Sequence, residues 1–175
     1  MSRDHDYARY VTQAPVMNAA WAFAEAYWID KDIRGAWRAT HPTLRRCWTQ
    51  TWLIPLLEQG SVGGYDPNAV VEAFAEDEVD HVLWKLFARA QVKRTAPVAV
   101  DREAWGVKAD PEFVAPDVVL VRLLSIPAGG AVRLDEMVAS VPLLMQYDVE
   151  PGWRLLNFFS DQIPVPGWPP QLGGA

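Results

Sequence analysis

The first half of the chain spaces its apolar residues as amphipathic helices do. From residue 15 to about residue 29 they recur three or four positions apart, which places them on one helical face. Pro15 suits the first turn of this helix, because the N–H that it lacks would have no partner there. Residues 1–13 are polar, and we expect a flexible leader. The apolar face consists of Met17, Ala20, Trp21, Ala24, Tyr27 and Trp28.

Asp and Pro residues divide the next segment into short helices. Either Asp30 or Asp32 can cap a second helix, because its carboxylate accepts hydrogen bonds from the free N–H groups of a helix start. His41-Pro42 ends that helix, since a residue before proline disfavours the helical conformation. Pro42 begins a third helix, which Pro55 ends or kinks. Asp66-Pro67 repeats the pair of cap and proline and predicts a fourth helix.

A fifth helix, the strongest by pattern, is predicted from about residue 77 to residue 93. Acidic residues crowd its start and basic residues its end, which matches the polarity of the helix dipole. This polarity explains the basic cluster of Arg89, Lys93 and Arg94 better than a binding surface does. The predicted core side consists of Val79, Val82, Leu83, Leu86, Phe87 and Ala90.

The second half of the chain has the pattern of strands. Residues 104–108 form a short strand, and residues 117–126 are apolar on both faces, as in a central strand that is covered twice. Residues 136–147 and 153–161 alternate in polarity, and Pro151-Gly152 predicts a tight turn between them. The resulting hairpin is the clearest structural signal in the chain.

These elements predict one α+β domain in 175 residues. Residues 15–94 are mainly helical, residues 102–161 form antiparallel strands, and residues 162–175 are a Pro-rich tail. We expect the helices to pack on one face of a curved antiparallel sheet, and Trp168 to hold the tail against the body of the protein.

Composition narrows the possible partners and compartments. The net charge of −6 argues against a nucleic acid partner, which requires a basic surface. No apolar run approaches the roughly 20 residues of a membrane span, and the polar N-terminus lacks the apolar core of a signal peptide. The single Cys47 is expected to be a buried structural thiol, and a cytoplasmic location follows from these features. Nine Trp residues favour cavities, interfaces and positions that cover a sheet.

The sequence contains no common catalytic motif, and it predicts neither a cofactor nor a metal site. His41 has two interpretations: its ring caps a free helix end, or it is a titratable group that faces a cavity. Asp161 lies near a strand end and is either a buried acid or a turn residue. Asp77 and His81 have the spacing of metal ligands on a helix, but their projection favours a solvated face.

Five residues are candidates for the wall of an apolar pocket. Pockets are mostly apolar with a few polar anchors, and Asn157 is a polar residue on an otherwise apolar strand face. Tyr147 lies at the hairpin, and three tryptophans of other elements complete the set. The candidates are Trp21, Trp37, Trp105, Tyr147 and Asn157.

Several segments also resemble a known family. Ala36-Trp37 leads to His41-Pro42, and residues 151–158 form a closing strand of sequence PGWRLLNF. This arrangement resembles the nuclear transport factor 2-like superfamily, an α+β cone fold related to cystatin. Trp84-Lys85-Leu86-Phe87, followed by Trp105-Gly106-Val107, is similar to actinobacterial members. The resemblance implies a cavity between helices and sheet, and a homodimer through the outer face of the sheet.

Fold alone does not decide function, since the superfamily includes ketosteroid isomerase, scytalone dehydratase and polyketide cyclases beside non-catalytic binding domains. Our leading hypothesis is a homodimeric domain whose Trp-lined cavity binds a small hydrophobic ligand or a protein partner. The alternative is a cofactor-independent lyase, isomerase or cyclase that uses His41 or Asp161 as general base. A third is a structural subunit whose Trp residues fill an interface.

Overall fold

The computed structural model describes residues 3–96, 100–125 and 138–173, with side chains from residue 14 onward. Helices occupy the first half of the chain and strands the second half, so the α+β class is confirmed. The helices are α1 (Arg3–Ala24), a π-helix (Glu25–Ile29), α2 (Ile33–Arg38), α3 (Pro42–Glu58), α4 (Pro67–Ala75) and α5 (Trp84–Thr95). The strands are β1 (Trp105–Val107), β2 (Glu112–Ala115), β3 (Val118–Ser125), β4 (Ser140–Asp148) and β5 (Gly152–Phe158).

Helix α1 begins much earlier than the sequence pattern predicts. It starts at Arg3, so the backbone of residues 3–13 is helical and the predicted flexible leader is wrong there. Pro15 therefore lies inside the helix and not in its first turn. Residues 3–13 contain no Gly or Pro that would end a helix, and α1 continues through Pro15 despite the backbone hydrogen bond that proline removes.

Three helix starts are confirmed in detail. The side chains of Asp32, His41 and Asp66 each accept a hydrogen bond from a backbone N–H in the first turn of α2, α3 and α4, respectively. Capping involves groups only two or three residues apart, which explains why the local sequence predicts it. Helix α3, however, continues past Pro55 to Glu58.

Helix α5 starts seven residues later than predicted and presents a different face. Asp77 has a left-handed φ of 65°, and residues 77–83 form turns after α4. The buried face carries Trp84, Phe87, Gln91 and Thr95, whereas the predicted core residues Val82 and Leu86 are exposed. The rings of Trp84 and Phe87 pack on each other and on Phe74 of α4. These aromatic contacts bury more area than Val82 and Leu86 would, and so select the helix face.

His81 lies in the turn before α5 and not on a solvated helix face. Its ring packs edge-on against Phe74, with 5.5 Å between centroids, and its Nδ1 accepts a hydrogen bond from the N–H of Leu83. It is half-buried. The prediction of a solvated side chain is therefore wrong, because it assumed a helix that had already begun.

The five strands form one antiparallel sheet in the order β1-β3-β4-β5. Strand β2 also pairs with β3, beside β1. Strand β2 was not predicted, because its four residues are too short for a clear alternating pattern. Predicted strand positions 126, 136 and 137 and tail residues 174–175 lie outside the described residues.

Apolar side chains cover both faces of β3, as predicted. Val119, Val121 and Leu123 belong to the main core between the helices and the sheet. Val118 and Leu120, which alternate with them, join Leu144 and Leu156 in a smaller buried cluster. Alternation along a strand places the two clusters on opposite faces.

The tail after β5 is held against the helices, and we refer to residues 162–173 as the C-terminal strap. The indole N–H of Trp168 donates to Oδ1 of Asn68 at 3.0 Å, and the backbone N–H of Gly167 donates to Oε1 of Gln50 at 3.0 Å. Gln171 pairs with Val165 through two backbone hydrogen bonds. Trp168 therefore contacts the body of the protein, as predicted.

Candidate functional site

The predicted pocket residue Trp37 lies in the core. It is 1% exposed, and its Nε1–H donates to the carbonyl of Phe74 at 2.8 Å. Four aromatic rings surround it at centroid distances of 4.9–6.4 Å. Trp37 is therefore a packing residue that joins α2 to α3, α4 and α5, and it has no free surface to offer a ligand.

Asn157 is also buried, and its polar atoms have internal partners. Its Nδ2 donates to the carbonyls of Gln162 and Leu172 at 2.8 and 2.7 Å, and its Oδ1 accepts from the N–H of Phe158. Both carbonyls belong to the C-terminal strap. The amide of Asn157 thus holds the strap to the end of β5, although the residue also borders a small cavity of about 210 Å³.

The other three pocket candidates flank α1 on two sides. Trp21 and Trp105 line a small groove of about 300 Å³ between α1 and β1. Tyr147 lines a larger one, of about 720 Å³, which we call the hairpin groove. The five candidates therefore do not line one common cavity, because their elements approach different sides of the helices. The hairpin groove is lined by Pro15, Ala19, Phe113, Pro116, Tyr147, Pro151, Gly152 and Trp153.

The β4–β5 hairpin and β2 together position three aromatic side chains in this groove. Tyr147 and Trp153 are directly paired across the two strands, and their ring centroids are 5.3 Å apart. Gly152 has a left-handed φ of 96°, which lets the chain turn sharply into Trp153. Phe113 approaches from β2 and is 63% exposed, and Tyr147 is 46% exposed.

Sequence reasoning missed Phe113 and Trp153 as site residues. Trp153 was assigned to a strand face, and Phe113 belongs to the strand that was not predicted. One signal was present: residues 111–116 read PEFVAP, with three adjacent apolar residues between prolines. Such a segment is too short to form a core strand but suits an exposed edge.

The described residues that line the hairpin groove are mainly apolar and carry no formal charge. This described lining can provide ring stacking and apolar contact, with the Tyr147 hydroxyl at one side, but it contains no carboxylate or imidazole for proton transfer.

His41 lies elsewhere, at the junction of α3 with β5. Its backbone N–H donates to the carbonyl of Leu155 at 2.7 Å. Its Nδ1 accepts from the N–H of Thr43 at 3.2 Å, and its Nε2 lies 3.6 Å from Oδ2 of Asp148, which also binds Arg154 at 2.5 Å. The interpretation of His41 as a helix cap is confirmed. With Nδ1 engaged as acceptor, the neutral ring directs its Nε2 proton towards Asp148 and has no free lone pair for a substrate.

The environment of His41 predicts a specific pH dependence of stability. Burial lowers the pKa of His41, Asp148 raises it, and Arg154, Arg45 and Arg46 lower it, with a net direction downward. The unfolded chain then binds more protons than the folded one between this lowered pKa and about 6.5, so the free energy of unfolding falls as pH drops below about 6.5, by at most about 1.4 kcal/mol per unit.

The variant His41→Asn tests this dependence, because Asn keeps a capping acceptor and cannot titrate. We expect urea unfolding at pH 7.5 and 5.5 to show a smaller loss of stability at low pH in the variant than in the wild type. Equal losses in the two proteins would show that His41 does not contribute.

Asp161 and Cys47 complete the candidate residues for chemistry. Asp161 is exposed in the bend after β5, so it is a turn residue and not a buried acid. Cys47 is fully buried, and burial raises the pKa of its thiol to about 11. A thiol of that kind is not ionised at neutral pH and is a packing group, as predicted.

The described residues offer neither a metal-binding cluster nor a membrane-spanning helix. No cluster of three or more His, Cys, Asp or Glu side chains that could hold a metal ion occurs in residues 3–96, 100–125 and 138–173. Within the same ranges, no helix has the length and apolar character needed to cross a membrane.

Comparison with known proteins leaves the family open. No protein-family model matches the chain, and no curated protein or solved structure is significantly similar to it. The resemblance to the nuclear transport factor 2-like superfamily therefore stays a prediction.

Proposed function

We propose that this protein is a binding domain whose hairpin groove takes a small, flat hydrophobic molecule. The observation that carries the proposal is the convergence of Phe113, Tyr147 and Trp153 from three strands into one uncharged groove. Large aromatic side chains are normally buried. Two of these three expose about half of their surface or more, which is typical of a ligand-binding wall.

The size of the groove suits a small molecule. Its volume of about 720 Å³ falls within the range of about 300–1,000 Å³ that is typical of ligand pockets. A ligand of about 20 non-hydrogen atoms, at about 0.3 kcal/mol per atom, would bind with about −6 kcal/mol, a Kd of tens of micromolar. The Tyr147 hydroxyl supplies one polar contact that can orient the ligand.

The enzymatic alternative receives no support from the same geometry. Neither His41 nor Asp161 lines the hairpin groove, and a general base must lie within hydrogen-bonding reach of the proton that it removes. A cofactor-independent lyase, isomerase or cyclase would need such a group beside the aromatic wall, so we favour binding without turnover.

Three further predictions belong to this proposal. We propose that the chain is a nuclear transport factor 2-like protein, that it works in the cytoplasm, and that it forms a homodimer through the outer sheet face. That face carries the exposed pairs Arg122–Glu112 and Gln146–Asp117, so a dimer there would include these polar groups.

Calorimetric titration of the full chain with steroids, terpenoids and fused aromatic compounds tests the ligand proposal. We expect at least one of these classes to bind, and Phe113→Ser combined with Tyr147→Ser to weaken that binding about tenfold or more, because two of the three aromatic rings of the groove are lost. Tyr65→Ser is the matched control: Tyr65 is an exposed aromatic residue that does not line the groove.

Circular dichroism should show an unchanged fold in these variants, since the substituted side chains are exposed. The proposal fails if no compound of the three classes binds, or if the double variant and the control bind equally well. If none of the three classes of compound binds but a Pro-rich peptide does, the groove is instead a peptide-binding site.

A further inference from the structure

A second groove runs along α5 and shares no lining residue with the hairpin groove. Its volume is about 800 Å³, and we call it the α5 groove. Ile33 and Trp84 are buried at its floor, while Leu86 and Val92 are 48% and 40% exposed. It is lined by Lys31, Asp32, Ile33, Arg34, Trp84, Leu86, Ala88, Arg89, Ala90, Val92 and Lys93.

Cationic side chains lie on both sides of this groove. Lys31 lies just before α2 and Arg34 lies in its first turn, while Arg89 and Lys93 lie on α5. Among the described residues of the lining, Asp32 is the only acid, and its side chain accepts a hydrogen bond from the N–H of Gly35 and caps α2. The groove is therefore strongly positive on a chain whose net charge is −6. The helix dipole accounts for Lys93 in the last turn of α5, but not for Arg89 in the middle of that helix or for the two cations on the opposite side of the groove.

An unusual backbone conformation positions Lys31 beside the groove. The π-helix ends at Ile29, and Lys31 then adopts a left-handed φ of 57°, which is uncommon for a residue with a long side chain. Its Nζ donates to the carbonyl of Thr95 at 3.3 Å. This hydrogen bond connects the segment just before α2 to the end of α5, so it joins the two sides of the groove.

We infer that the α5 groove docks an acidic amphipathic helix of a partner protein. Such a helix would insert an apolar stripe between Leu86 and Val92. Carboxylates on the two sides of that stripe would pair with the cations on both sides of the groove. Helix α5 has 12 residues and is about 18 Å long, which matches a partner helix of three to four turns.

The shape and charge of the groove favour this occupant over an anionic membrane. Helices that bind a bilayer present a convex apolar face to it, whereas here the apolar residues lie in a channel between two helices. The net charge of −6 would also repel an anionic lipid surface. The walls are helices without free strand edges, so they offer no ladder to an extended peptide.

Synthetic fluorescent peptides of about 14 residues, about 21 Å as helices, provide the test. One peptide carries Leu at positions i, i+3, i+4 and i+7 with Glu on both flanks, and a second replaces every Glu by Lys. Binding to the full chain is measured by fluorescence anisotropy, with anionic phosphatidylglycerol vesicles as a separate probe. We expect only the acidic peptide to bind, and its affinity to fall when the salt rises from about 50 to 500 mM.

The matched variants are Arg89→Glu with Lys93→Glu, and Lys85→Glu as control. Lys85 is an exposed cation of the same helix that does not line the groove. We expect the double variant to weaken peptide binding about tenfold or more and the control less than about twofold. Leu86→Asp should weaken binding as well, because it places a carboxylate in the apolar channel.

The inference is overturned if the acidic peptide does not bind, if both peptides bind alike, or if Lys85→Glu is as damaging as the double variant. Binding to the vesicles without binding to the peptide would identify a membrane surface and would also overturn it. None of these outcomes bears on the proposal of ligand binding in the hairpin groove, because Phe113 and Tyr147 remain unchanged in all of the variants.

Discussion

Replacing Trp37 by alanine is expected to lower the free energy of unfolding by about 3–5 kcal/mol, as is typical when a buried Trp or Phe is truncated. Trp37 is 1% exposed and contacts the rings of Trp48, Phe74, Trp84 and Phe87. The substitution leaves a cavity among these rings. It also removes the donor from the carbonyl of Phe74, which adds the cost of an unpaired buried acceptor.

Urea unfolding followed by circular dichroism measures this effect. Trp37→Phe should destabilise the protein less than Trp37→Ala, because it retains most of the ring contacts while losing the hydrogen bond. Trp168→Ala is a control for loss of a partly exposed indole, and we expect it to cost about 1 kcal/mol or less. If Trp37→Ala were no more destabilising than Trp168→Ala, Trp37 would not be at the centre of the core.

The second large effect is expected for Asn157→Asp, at about 2–4 kcal/mol near pH 7. The two side chains have the same shape, but the carboxylate has no N–H to donate to the carbonyls of Gln162 and Leu172. Its oxygen would instead face both carbonyl oxygens in a buried site, where an unpaired charge is costly. The variant should therefore lose stability and release the C-terminal strap.

Two measurements separate these consequences. Urea unfolding reports the loss of stability, and limited digestion with chymotrypsin reports whether Phe159, just before the strap, becomes easier to cleave. Asn18→Asp is the matched control, since it makes the same change at an exposed position on α1. Equal stability and equal digestion of Asn157→Asp and Asn18→Asp would contradict the role of Asn157 as the anchor of the strap.

Local signals predicted much of the fold. The caps at Asp32, His41 and Asp66 depend on atoms two or three residues away, and the apolar faces of β3 follow from alternation alone. The predicted start of α5 was wrong, because periodicity cannot distinguish a helix from turns with the same apolar spacing. There, the contacts of Phe74 with Trp84 and Phe87 decided which side faces inward.

The candidate site was less accessible to such reasoning. Tyr147 was predicted to line a pocket, and it does line the hairpin groove. Phe113 was missed with β2, and Trp37 and Asn157 occupy the core and the base of the strap. An aromatic stripe in a sequence has the same appearance whether its rings meet other rings or solvent, so spacing could not separate Trp37 from Trp153.

By itself, the sequence determined the α+β class, the order of helices before strands, the helix caps and the twofold covering of β3, because each depends on residues close together along the chain. Only the tertiary structure decided which aromatic residues are buried and which converge at the hairpin groove, and how α2 and α5 bring four cations around one apolar channel. These features join residues of distant elements, and their positions follow from packing across the whole core, where the fit of one large ring determines where the next can lie.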